Sequence, residues 1–170
     1  MQRHFQMLAD YNRWANNRIY DACATLSDDD YRADRGAFFG SAHRTLNHLL
    51  VADRIWLRRI TGIGTAPMEL NVILYENLAE LRKARASEDE RFIEVTGSLA
   101  PNAYASTVTY TPVTNPVPVT EPLGAMLAHV FNHQTHHRGQ VHAILTSLGQ
   151  QSVVLDMIAF LRKDGKQWIA

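Results

Sequence analysis

The chain is nearly free of cysteine. Cys23 is the single one in 170 residues, which excludes an intrachain disulfide and a thiolate metal cluster. A surplus of either charge is also missing, with 17 Lys+Arg against 17 Asp+Glu, so there is no basic excess to displace counterions from nucleic acid or to hold an anionic membrane surface. Neither partner is expected. No apolar run approaches the roughly 20 residues that cross a bilayer. The opening MQRHFQMLADYNRW has neither the basic start nor the apolar stretch of a signal peptide, which makes a cytoplasmic location the expectation.

What is present is a hydrophobic share of 46% in a chain long enough to bury roughly 70% of its unfolded surface, so a single domain spanning residues 1–170 is expected. Phe5, Leu8, Tyr11, Trp14, Ala15, Ile19 and Ala22 recur at helical spacing and predict a first helix over residues 3–25. Residues 28–39 read as a loop. Gly40 and Ser41 open a second helix whose stripe runs through Leu46, Leu49, Leu50, Ile55, Trp56 and Ile60 to the stop at Gly62 and Gly64. A third helix is predicted over 73–99, with a charged middle, 82–91, that implies a solvated face, and with Pro101 beyond its end. Residues 103–119 alternate in YASTVTY and then carry Pro112, Pro116 and Pro118, which predicts a short hairpin or extended arm. Thr120 is the expected N-cap of a fourth helix, with Glu121 and Pro122 in its first turn and Gly149 as its stop, followed by a short terminal helix over 155–162. The expected class is all-α: a four-helix bundle with a hairpin insertion before the fourth long helix and a short C-terminal helix. The long second and third connections argue against simple up-down-up-down order.

Eight histidines stand out, and five lie on the fourth helix. At about 100° per residue, His129, His136, His137 and Gln140 fall within about 60° of His133, whereas His142 faces the opposite way and is expected at the surface. Imidazoles at i and i+4 sit one above the other, near enough to ligate one ion. Two such pairs exist, His129/His133 and His133/His137, but His129 and His137 are about 12 Å apart along the axis and cannot share an ion. Spacing leaves the choice between the pairs open. A third ligand should come from a facing helix, where His48 lies on the apolar side and His43 points away. Alternatively, His48 is a hydrogen-bonded core histidine and the stripe a metal-free one, although Met126, Val130, Val141 and Ile144 around that stripe argue against a solvated face.

HVFNHQTHHRGQ at 129–140, TLNHLLVADRIWL at 45–57, LADYNRWAN at 8–16 and LDMIAFLR near the end resemble the DinB family over nearly the whole chain. The resemblance implies a four-helix bundle holding a divalent metal through His48, His133 and His137, with zinc expected first and nickel second. It gives His129 a contact with substrate or water, or a packing role at the end of the bundle. A structural role is expected for Arg138, and Asp53, near 140° from His48, is expected to pair with an arginine rather than a metal. Trp14 and Trp56 read as core aromatics. The resemblance further implies a transferase in which a metal-activated low-molecular-weight thiol attacks a small electrophile, and a homodimer. Metal-dependent hydrolysis, with His129 or His136 as base, and a non-catalytic stress-related metal- or ligand-binding protein are the alternatives. Cys23 is not needed in any of them.

Overall fold

In the computed structural model, which describes residues 1–170, the chain is mostly helical with one small antiparallel sheet. The first apolar stripe forms α1 (Gln2–Cys23). Within the predicted loop lies a one-turn helix, α2 (Asp28–Arg32), capped by the Ser27 hydroxyl, which accepts from the Asp30 amide. Its three N-terminal aspartates favour the positive end of the helix dipole, but five residues are too few to show an apolar period. Ser41 caps α3 (Ala42–Thr61), and Gly62, at φ 72°, ends it as expected.

The third long helix, α4 (Leu78–Ser98), begins later than its apolar pattern suggests. The buried Asn47 explains the delay: its Oδ1 accepts from the Leu74 and Tyr75 amides at 2.9 and 3.0 Å, holding that segment against α3. Helix then starts at the cap supplied by Asn77. Strands β1 (Thr107–Tyr110) and β2 (Val119–Pro122) pair antiparallel, Thr107 opposite Pro122 and Tyr110 opposite Val119. Thr120 is therefore not an N-cap. Its hydroxyl lies 2.8 Å from that of Thr109 across the hairpin, and Pro122 takes the cap position of α5 (Leu123–Ser147). Gly149, at φ 76°, follows α5, and α6 (Met157–Lys163) closes the chain with a 3-10 turn at Lys166–Trp168. No helix is long and apolar enough to cross a membrane.

Helix α1 packs against α4 and α5, and α3 packs against the same two, forming a helical bundle. Two apolar clusters fill it, one around Ile19, Leu46, Leu50, Leu81, Val141 and Leu145, the other around Phe5, Leu57, Phe92, Leu127 and Phe131. The order in which each helix meets them shows α1 and α5 running one way and α3 and α4 the other. Between the clusters lies a buried polar layer that the sequence reading of a solvated α4 face missed: Arg85, Glu88 and Asp89 of the charged run are all buried. Arg85 Nη1 lies 2.6 Å from Asp53 Oδ2 and its Nε lies 3.2 Å from Asp89 Oδ1. Asn12 and Asn16 donate to Asp89 at 3.1 and 2.9 Å, and Arg138 donates to both asparagines and to Gln134. Gln134 in turn donates to Asp53 at 2.6 Å. Two arginines and two aspartates balance, and the expected arginine partner of Asp53 is Arg85.

Removing one member of such a layer leaves charge buried without a counter-ion. Arg85→Met is therefore expected to cost about 3–5 kcal/mol in urea unfolding. Arg13→Met, which breaks the half-exposed pair with Asp10 and the exposed one with Glu90 at the bundle's surface, should cost about 1 kcal/mol. Equal losses would show that the layer does not carry this energy.

Candidate metal centre

His48 projects from α3 and His133 and His137 from α5, and the structure brings one ring nitrogen of each within 4.8 Å of the others. His48 Nε2 lies 3.2 Å from His133 Nε2. Ring centroids are 4.4 Å apart for His133 and His137 and 4.7 Å for His48 and His137.

Neighbours decide where the protons sit. His48 Nδ1 is 2.8 Å from the Leu70 carbonyl oxygen, which can only accept, so Nδ1 carries the proton and Nε2 is left with a lone pair. His137 Nδ1 donates to Gln140 Oε1 at 2.8 Å, and the Gln140 amide donates onward to His136 Nε2 at 3.2 Å. His137 Nε2 is thereby also bare. Burial disfavours protonation and holds His48 down to about 4 and His133 to about 3, the latter helped by the surrounding imidazoles; His137 is lowered too. Phe39 stacks on His48 with centroids 3.9 Å apart and contributes to that burial. Three imidazoles held neutral by burial, with the bare Nε2 atoms of His48 and His137 turned toward His133, suit a divalent cation that accepts nitrogen donors. The group fits.

The triad forms the floor of an open cleft of about 1040 Å³ walled by the 32–44 segment, Leu70, Asn71, His136 and Gln140. The remaining histidines go elsewhere. His129 is exposed, packs tilted against Trp56 with ring centroids 4.9 Å apart, and lies 5.7 Å from the His133 ring, outside the cleft lining. His43 is directed away from the triad yet is buried, its Nε2 3.2 Å from the Tyr75 carbonyl and its ring edge-on to Tyr31. His142 contacts Ser152 on the outside. Trp56 is half-buried, sandwiched between His129, Tyr110 and Arg59, and Trp14 is half-buried with its indole donating to Asp164; neither is a full core residue. Sequence reading missed Phe39, Gln140 as the partner of His137, and the Leu70 carbonyl. The first two sit near the motifs, but a carbonyl leaves no mark in a sequence.

The family model for DinB matches residues 1–168. The chain belongs to the DinB family. The curated Protein DinB of Bacillus subtilis (strain 168) is 25% identical over 162 residues, covering 91% of each chain. In this DinB-family chain the motif histidines 133 and 137 and the upstream His48 are the three that meet in space.

An unfolded histidine titrates near 6.5. Between that value and the lowered native ones, the unfolded chain binds protons that the folded chain refuses, so stability rises with pH through this window. Metal-free protein is expected to lose melting temperature as pH falls from 7 to 5, and His133→Gln should flatten that slope. An equally steep slope in the variant would contradict the burial of neutral His133.

Proposed function

We propose that His48, His133 and His137 hold a divalent cation, zinc first and nickel as the alternative, and that the protein is a metal-dependent transferase joining a low-molecular-weight thiol to a small electrophile. The reading takes the fold as one four-helix-bundle domain over 1–170, acting as a homodimer. One observation carries it: three imidazoles converge, one ring nitrogen of each within 4.8 Å of the others, on the floor of a cleft open to solvent. Three nitrogen ligands leave a coordination position unfilled, the pattern of catalytic rather than structural sites. A cation bound there supplies Lewis acidity, lowering the pKa of a thiol or water and polarising a carbonyl.

The chain's own residues supply the rest. The Leu70 carbonyl and Gln140 hold His48 and His137 in the tautomer that presents Nε2, as partners of ligating histidines do. Phe39 keeps water from one face of His48. His136, on the cleft wall, accepts from Gln140 at Nε2 and carries its own proton on Nδ1, where it can exchange with a bound molecule. That placement favours a second reading, metal-dependent hydrolysis with His136 moving the proton. His129, beside His133, is positioned for a substrate or water contact only from the Trp56 side.

Metal analysis of untagged protein tests the ligand set. His48→Ala, His133→Ala and His137→Ala are each expected to drop metal from about one equivalent to under a tenth, with folding checked by circular dichroism, while His142→Ala retains it. Stoichiometric metal in all three triad variants would reject the proposal. Metal-dependent consumption of thiol with an electrophile supports transfer; metal-dependent product release into water without thiol supports hydrolysis.

A further inference from the structure

We propose that the cleft over the imidazole triad selects a small carboxylate attached to an apolar ring, with Arg44 binding the carboxylate and Phe38 packing on the ring. The proposal deepens the metal-dependent reading above and rests on it for the location of the chemistry. Its own evidence is separate. Arg44 lies one turn before His48 on α3, on the same helix face, and both line the cleft. Arg44 is exposed, and only its backbone amide is engaged, by the Ser41 hydroxyl; its guanidinium has no hydrogen-bond or ion-pair partner.

The other charges around the cleft are already committed. Arg32 pairs with Asp28 at 2.9 Å and Glu76 at 2.7 Å. Asp34, the carboxylate of the lining, is turned into its own loop, where Oδ1 accepts from the Gly36 amide at 2.9 Å. Arg44 therefore presents the cation of the wall that has no acidic partner, and a guanidinium fork matches a carboxylate through two parallel hydrogen bonds. In the same lining, Phe38 is 81% exposed and set edge-on against Phe39, which itself covers His48. A cation and an unpacked aromatic ring on one wall describe a ligand with a charged end and a flat apolar body.

Calorimetry with cobalt-loaded protein, using benzoate, acetate, benzamide and inorganic phosphate as probes, tests this. Benzoate is expected to bind at least about tenfold more tightly than benzamide, the worth of one charge-assisted contact, and more tightly than phosphate. Arg44→Gln should weaken benzoate about tenfold and leave benzamide unchanged, with Arg44→Lys between. Phe38→Ala should weaken benzoate but not acetate. Both positions are exposed, so unchanged circular dichroism and cobalt content confirm that the variants remain folded. Benzoate binding no tighter than benzamide, phosphate preferred over benzoate, or Arg44→Gln indistinguishable from the parent would each overturn the proposal. Failure of the parent to take up cobalt would instead count against the metal reading, and the same titrations on metal-free protein then still decide the role of Arg44.

Discussion

The ion-pair layer across the middle of the bundle sets the register on which the histidine triad depends. Asp53 follows His48 by five residues on α3, and Gln134 and Arg138 each sit one residue after a triad histidine on α5. The contact from Gln134 to Asp53 therefore fixes the relative height of the two helices that supply the imidazoles. Sliding one helix past the other by a residue would move its side chains about 1.5 Å along the axis and swing them by about 100°. That would separate the histidines and at the same time take the Gln134 amide away from the buried carboxylate of Asp53. Apolar packing alone tolerates such slips, since Leu and Val on neighbouring turns are interchangeable in character; hydrogen bonds between amides and buried charges do not.

Around this frame, the connecting segments complete the site. Asn47 uses both ends of its amide on the segment after α3, accepting from Leu74 and Tyr75 and donating to the carbonyls of His43 and Tyr75. Held in this way, the same segment brings the Leu70 carbonyl to His48 and sets its tautomer. The segment before α3 brings Phe39 onto the other side of that ring. Loops thus govern the protonation of groups that helices merely position. The thiol of Cys23, pushed up to about 12 by burial in the apolar cluster, stands apart from the triad.

Much of the architecture is legible because long helices write their burial into the spacing of Leu, Ile, Val and aromatic residues. Ser41 and Gly62 bracket α3 as a cap and a left-handed stop should. The errors fall where short-range chemistry competes with that spacing. Leu74 carries a helical apolar pattern, but its amide is taken by Asn47, from another helix. Thr120 looks like a cap and is instead paired with Thr109 across a hairpin. The charged middle of α4 reads as a solvated face because nothing local reveals that Arg85 and Asp89 meet Asp53, Asn12 and Asn16 from two other helices.

The sequence by itself determined that the chain is helical, that His133 and His137 share a face one turn apart, and that His48 lies on an inward stripe, because helical periodicity is a local property of a few consecutive turns. Tertiary structure decided that His48 meets this pair while His43 and His129 do not, which ring nitrogens are bare, and which arginine is left without a partner beside them. Those outcomes depend on groups from distant segments competing for the same hydrogen bonds in a dry interior, and that competition is settled only when the helices pack.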